Sequence, residues 1–560
     1  MTHSKSTRAS NSSASSWVTA LSMENAERDA SRDFYTEVLI VGGGFGGVYA
    51  LYKFRQLGLN VKLVEAGSDF GGVWHWNRYP GARVDSEFPF YQLSIPEVYK
   101  TFDFRERFPS HTELRRYFDH ARNVLDLDRD AVFNTIVQGV TWSNGKWTCR
   151  IKDGRIIACK YLVLCTGSSY KKHLPAFKGL DAFGGTLLHS AAFPEEGVDV
   201  KGKRVAVIGN GSTGVQIIQE LAKQDCDLSA FIRTPIMALP MKQRAIPAQE
   251  QESLRSFYDA LLKASKASKA GFPYNNQVKT FSDASDTERE AVFEELWARG
   301  GFAFFLSNYV EFVTDKTANE CIYNFWAKKT RARVQNPVKR DIVAPLKQEH
   351  YFGVKRPSLE QDYYESIDKP NVTLVNLKAN PIREITKDGI QTNEHHKFDI
   401  IILATGYDAM TGSLMDLRIR DREGRLLQEL WSDGVETYLG LMITGMPNMF
   451  MVYSPQAPTA LSNGPAIIES QVDWVISAIS KMEADGIKTI EPQRLFAAKW
   501  RKDIQEMNAK TLYPLENSWY MGANIPGKVR EQLMYLGGVD AYNAAIKDAL
   551  VEWKGFDLTS

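Results

Sequence analysis

Two stretches of the chain share one pattern of apolar runs and glycines. Residues 36–67 (TEVLIVGGGFGGVYALYKFRQLGLNVKLVEAG) place an apolar run, Val38–Val41, before a glycine-rich turn. An amphipathic segment follows, and the stretch closes on a second apolar run, Val61–Val64. Residues 202–235 (GKRVAVIGNGSTGVQIIQELAKQDCDLSAFIRTP) repeat the order. Short apolar runs bounded by glycine read as buried parallel strands, with the longer segment as the crossover helix. Two more apolar runs, KYLVLCTGS (160–168) and FDIIILATGYDA (398–409), end in Thr-Gly and predict further buried strands. The second lies far downstream, so the first unit is expected to be completed by the C-terminal part of the chain, with the second unit inserted into it.

The glycines have separate tasks. In the first stretch Gly42 permits a tight turn, Gly44 lets backbone approach a pyrophosphate, and Gly47 allows close packing of helix on strand. The helix N-terminus then offers free N–H groups to phosphate. Glu65, at the tip of the second strand, suits the ribose hydroxyls. In the second stretch Gly209, Gly211 and Gly214 recur, with Ser212 and Thr213 between them, but the strand tip carries Arg233 and Thr234. An acid there would repel a ribose 2′-phosphate, whereas a guanidinium fits one. The first unit is expected to hold an unphosphorylated adenine dinucleotide and the second NADP. The fold class predicted is α/β, two Rossmann-like dinucleotide-binding domains (FAD and NADP) with a helical insertion, and the common chemistry of such a pair is hydride transfer from NADPH to a resident flavin.

The domain boundaries expected are 34–170 and 391–560 for FAD, 171–239 and 346–390 for NADP, and 240–345 for the insertion. Within the insertion, Thr287-x-x-Glu290 predicts a capping box ahead of Phe293, Leu296 and Trp297 at helical spacing, and 319–334 predicts an amphipathic helix. Its aromatics are read as internal packing, and KKTRAR (328–333) as a solvated helix face. Residues 1–33, rich in Ser and Ala without an apolar core, read as a disordered extension.

Composition narrows the partners. Lys plus Arg total 68 against 67 for Asp plus Glu, which argues against a nucleic-acid partner. No apolar run approaches a membrane span. Five cysteines without a C-x-x-C pair argue against a disulfide framework, a zinc site or a dithiol centre, so no metal is expected and a reducing, cytoplasmic location is.

Further residues carry a resemblance. Gly72-x-Trp74 followed by Arg78-Tyr79-Pro80-Gly81-x-Arg83-x-Asp85 resembles the active-site motif of Baeyer–Villiger monooxygenases. Phe183-x-Gly185-x-x-x-His189-x-x-x-Phe193-Pro194 resembles that family's fingerprint, with Phe193 where Trp is usual, which removes an indole N–H. FGVKRP (352–357), NMFMVYSPQAPTALSNGP (448–465) and SWYMGANIPGK (518–528) match further family segments. The resemblance implies conversion of cyclic or linear ketones to lactones or esters with NADPH and O2, through a flavin C4a-peroxide. It implies catalytic roles for Arg356, as the cation that stabilises negative charge on oxygen, and Asp85, as its carboxylate partner. It implies FAD contacts from Gly42, Gly44, Gly47, Glu65, Val73, Trp74, Trp76, Asp85, Tyr91 and Val137. NADP contacts are implied for Arg83, Gly209, Gly211, Ser212, Thr213, Gly214, Arg233, Thr234, Lys355, Arg356 and Trp519. The partners implied are a small ketone and O2, acting on a monomer or weak oligomer.

Alternatives remain at this level. Asp85 could pair with Arg83 instead. His189, in the connection between the two units, reads as a coupling element and not as an acid–base catalyst, since the chemistry implied needs no imidazole. The rival functions are a flavin monooxygenase acting on nitrogen or sulfur, a disulfide reductase (which the missing C-x-x-C opposes) and a non-enzymatic flavoprotein redox module.

Overall fold

A computed structural model describes residues 33–560. The extension expected over 1–33 lies outside the described residues except for Asp33, whose carboxylate accepts the Ile156 amide at 2.7 Å.

The first glycine-rich stretch forms the strand Phe34–Val41, the helix Phe45–Gln56 and the strand Val61–Val64, paired in parallel from Val38↔Val61 to Val41↔Val64. On its other side Phe34–Val41 pairs in parallel with Ile156–Leu164, the first Thr-Gly strand. The sheet has eight strands, in the order Ile419–Arg420, Val137–Ser143, Lys146–Ile151, Ile156–Leu164, Phe34–Val41, Val61–Val64, Ala131–Val132, with Met449–Met451 beside the end of Ile156–Leu164. Two of its strands thus come from the C-terminal part of the chain.

The second sheet is all parallel, in the order Val372–Asn376, Cys226–Ile232, Lys203–Ile208, Ile400–Leu403, Thr186–His189. Its membership corrects one expectation. The downstream Thr-Gly strand joins this sheet, so the boundary expected at 390/391 moves beyond Leu403. The reason lies in the glycine loops. A Cβ on Gly42 (φ +111°) would stand 2.4 Å from the Cys165 carbonyl oxygen, and one on Gly209 (φ +114°) 2.4 Å from that of Ala404. Each Thr-Gly strand backs the glycine turn of its own sheet, so that turn admits no side chain. Gly47 and Gly214 are held the same way, each against the carbonyl of its loop's first glycine.

Residues between the second sheet's strands form the helices Ala248–Arg255, Tyr258–Lys266, Asp286–Arg299, Lys316–Arg331 and Pro337–Val343. The capping box uses Ser285 and Glu288, two residues ahead of the pair expected, because Asp286 already enters the helix. Phe293, Leu296 and Trp297 are buried with Phe304 and Phe325 in one core shared with the second sheet. The cations of 328–333 are paired, Lys328 with Glu290, Lys329 with Glu294 and Arg333 with Glu360, so that face is neutralised within the fold. Among the described residues no helix is long and apolar enough to cross a membrane.

Candidate active site

The carboxyl ends of the first sheet's strands open into a cavity of about 1630 Å³. One wall is the turn before helix Phe45–Gln56, whose first turn carries no acidic residue and so presents the positive end of the helix. Here two backbones touch: a Cβ on Gly72 (φ +53°) would lie 2.9 Å from Gly44 Cα. Glu65 is buried beside this turn. Its Oε2 accepts the Gly43 amide at 2.6 Å and its Oε1 the Gly67 amide at 2.7 Å. Burial raises the carboxyl's pKa, and these amides pull it back. Val73, Trp74, Trp76, Tyr91 and Val137 line the same cavity, and the Trp74 indole donates to the Tyr91 hydroxyl at 3.1 Å. Gly47 lies behind the turn and serves packing.

At the other end of the cavity stands Arg356. It is two residues before the strand Ser358–Glu360, which pairs in parallel with Ala238–Pro240 in a small sheet of two strands. Its Nε donates to Asp85 Oδ2 at 2.8 Å and its Nη2 to Asp85 Oδ1 at 2.9 Å, a bidentate pair. Its Nη1 donates to the Ala460 carbonyl at 2.7 Å. Three of the five guanidinium N–H groups are thus engaged and two remain. Burial disfavours the charge, but Asp85 outweighs it and the pKa moves up, so the cation is permanent. Arg83 takes no part in this pair: it bonds Glu106 at 2.5 Å and the Phe108 carbonyl at 2.8 Å, which removes it as the partner of Asp85.

The family model for pyridine nucleotide-disulphide oxidoreductases matches residues 36–257. Cyclopentanone 1,2-monooxygenase of Comamonas sp. is 39% identical over 97% of this chain and 100% of its own length. A Baeyer–Villiger monooxygenase of Pseudooceanicola batsensis is 36% identical over 91% of this chain and 94% of its own. The structure of OTEMO in complex with FAD and NADP superposes with a TM-score of 0.88 at 32% identity, covering 94% of this chain and 99% of that one. The chain belongs to the Baeyer–Villiger monooxygenases.

In this Baeyer–Villiger monooxygenase the residues expected at NADP fall into two groups. Arg83, Arg356 and Trp519 line the large cavity. Gly209, Gly211, Ser212, Thr213 and Gly214 form the start of helix Ser212–Leu221 at the end of the second sheet, outside the cavity lining. Arg233 follows the strand Cys226–Ile232, exposed and without an ion pair among the described residues, with Thr234 next to it. Lys355 is partly buried and likewise unpaired; burial lowers its pKa, Glu516 opposes this, and nearby Arg233 adds to it. Two adjacent cations without a carboxylate partner in contact suit a phosphate.

The two motif segments meet across the sheets. The Tyr79 hydroxyl donates to Gln216 Oε1 at 2.9 Å, and the Gln216 amide returns a bond to the Arg83 carbonyl at 3.0 Å. A Cβ on Gly81 (φ +80°) would sit 2.7 Å from the Gln216 carbonyl oxygen. The Tyr-Pro-Gly run therefore docks the segment that bears Asp85 onto helix Ser212–Leu221. Arg78 pairs with Glu195, just past the fingerprint, at 2.6 Å. Phe193 is buried and lines the cavity as an apolar surface.

His189 is the last residue of the edge strand Thr186–His189, not part of a bare connection. Its Nδ1 accepts the Ala191 amide at 3.1 Å, and its ring meets Tyr407 edge-on at 6.1 Å. Burial depresses its pKa to about 4, so the imidazole is neutral at neutral pH. Tyr407 in turn donates to Asn77 at 2.7 Å, and its carbonyl accepts from Asn524. Lys528 pairs with the next residue, Asp408, at 2.8 Å. The loop bearing Trp519 is thus tied to the segment that leaves the second sheet.

Ala460, and Phe302, whose ring centroid lies 4.7 Å from the Arg356 Cζ, are not singled out by the sequence. Ala460 acts through its carbonyl, which no residue type announces. Phe302 sits in the insertion, among many aromatics; its one signal was the preceding Gly300-Gly301 pair, both at positive φ.

Proposed function

We propose that the protein converts ketones to esters or lactones, ketone + O2 + NADPH + H+ giving ester + NADP+ + water. The observation that carries this is the bidentate Asp85–Arg356 pair at the wall of the cavity, with two guanidinium donors unused. The residues present fit FAD: a side-chain-free cradle at Gly42, Gly44 and Gly72, a helix N-terminus for the diphosphate, and Glu65 for the ribose. When bound, FAD supplies electrons taken from NADPH and the activated oxygen.

The chain's own residues do the rest. Arg356 holds a fixed positive charge, and its spare N–H groups stabilise the negative charge that builds on the ketone oxygen without surrendering a proton. Asp85 fixes the plane of the guanidinium. Arg233, Thr234 and Lys355 bind the 2′-phosphate of NADPH, while the loop at Trp519 excludes water from the cavity. The two sheets divide the work as FAD and NADP domains, with 240–345 as the insertion between their segments. The five unpaired cysteines support a reducing compartment such as the cytoplasm. The cyclopentanone-oxidising relative supports a cyclic ketone as first substrate to test.

The test supplies purified holoprotein with NADPH, air and a panel of cyclic and linear ketones, and measures products by gas chromatography. Esters or lactones appearing in proportion to NADPH consumed are expected. NADPH oxidation that yields only hydrogen peroxide with every ketone, or sulfoxide and N-oxide from added sulfides and amines in place of esters, would overturn the assignment.

A further inference from the structure

The guanidinium of Arg356 is held at its edges by Asp85 and Ala460, and hydrogen bonds in the plane do not stop it tilting out of that plane. A fourth contact addresses this. The Phe302 ring lies under the guanidinium, with the Arg356 Cζ 4.7 Å from the ring centroid. Phe302 is buried and braced by Phe272 and Phe305, at 6.5 and 6.0 Å between ring centroids. Its backbone is set by the tight turn at Gly300 and Gly301, both in the left-handed region, where the Gly301 amide donates to the Pro240 carbonyl at 2.9 Å. A Cβ on Gly300 would lie 2.9 Å from the same carbonyl oxygen and closer still to the Lys242 side chain. The turn therefore admits glycine and delivers one aromatic ring to one place.

We propose that Phe302 is a positioning residue for the oxygenation step: the helical insertion reaches the active site through this ring, whose face holds the Arg356 guanidinium flat and keeps its two free N–H groups aimed into the cavity. The proposal rests on the role given to Arg356 above. The attraction is that of a cation for the negative face of an aromatic ring, which an aliphatic side chain of equal bulk lacks. Cation–π contacts span a range that corresponds to about twofold to thirtyfold in a rate.

The test replaces Phe302 with its mono-, di- and trifluorinated analogues, which keep shape and nearly keep volume while draining charge from the ring face. Each holoprotein is assayed for FAD content, for flavin reduction by NADPH without oxygen, for KM of the ketone, and for ester formed per NADPH oxidised. Ester per NADPH is expected to fall stepwise with each fluorine, to about a tenth at the end of the series, with FAD content, flavin reduction and ketone KM unchanged. A Phe302→Tyr variant should match the parent, and Phe302→Leu should resemble the trifluorinated protein. A flat series, Phe302→Leu equal to the parent, or losses shared by reduction and KM would overturn the proposal, since a packing or substrate-contact role predicts those results. Failure of the functional reading looks different: the unsubstituted protein itself would then make no ester from any ketone.

Discussion

Removing the carboxylate of Asp85 is the most direct perturbation of the site. In Asp85→Ala the guanidinium of Arg356 loses bonds of 2.8 and 2.9 Å and keeps only the Ala460 carbonyl and the ring of Phe302. Breaking one side of a fully buried ion pair costs about 3–5 kcal/mol. Here the two side chains are 19% and 30% exposed towards the cavity, so water repays part of the loss. A cost of about 2–3 kcal/mol in the placement of the cation is the reasonable figure, equal to about 30- to 150-fold in the rate of a step that needs it. Asp85→Asn keeps the shape and one acceptor oxygen and should recover about 1 kcal/mol of that. The assay separates the half-reactions: stopped-flow absorbance follows flavin reduction by NADPH without oxygen, and chromatography follows ester per NADPH in air. Reduction should change by less than about threefold, while ester formation falls by the larger factor. If Asp85→Ala forms ester within about threefold of the parent, the pair does not position the catalytic cation.

The other expectations are as follows. Arg356→Ala should still reduce flavin with NADPH yet form no ester, and Arg356→Lys, which keeps the charge but lacks the planar fork, should restore at most a minor part; full ester yield from either removes Arg356 from its role. Arg233→Ala and Lys355→Ala should each raise the KM for NADPH by at least about tenfold while barely changing that for NADH, since the 2′-phosphate is the only difference between them; equal losses for the two cofactors refute the phosphate site. Stability should fall on mild acidification: His75 and His189, buried, have pKa values depressed to about 4 against about 6.5 unfolded, so the unfolded chain binds more protons between those limits and stability declines as pH drops through them. Melting temperatures between pH 7.5 and 4.5 check this, and His189→Asn should flatten part of the slope; an unchanged slope places the loss elsewhere.

How much of this was legible in the sequence depended on whether a local pattern had one structural meaning. Gly42, Gly47, Gly209 and Gly214 were readable because a carbonyl stands where their Cβ would be, and no other residue can replace them. The placement of Glu65 and Arg233 is readable because each directly follows an apolar strand whose end the pattern marks. The strand Ile400–Leu403 is legible as a strand but its sheet is not, since its apolar side chains suit either sheet and only its partners Lys203–Ile208 and Thr186–His189 decide. The partner of Asp85 could not be chosen by nearness in sequence: Arg83 is two residues away but turns to Glu106, while the true partner is 271 residues on. The contacts of Phe302 and Ala460 with Arg356 are not legible for the same reason, since local patterning connects neither residue to it.

That distance explains why Arg356 stands where it does. Asp85 comes from the flavin-side motif, Ala460 from the C-terminal segment, and Phe302 from the insertion, while Arg356 itself is one residue from the unpaired Lys355 beside Arg233. A guanidinium fixed by a single element would register the state of that element alone. One fixed by three elements, and adjoining the cation proposed for the cofactor's phosphate, is in place only when the first sheet, the insertion and the second sheet are correctly seated on one another. The Tyr79–Gln216–Arg83 bonds and the Tyr407–Asn77 bond join the motif that carries Asp85 to the second sheet, and the Tyr274 hydroxyl, which donates to Glu87, joins the insertion to the same segment. Loosening that seating, for instance by Gln216→Ala, acts on oxygenation through the orientation of Arg356 while every group that touches the reacting atoms is still present.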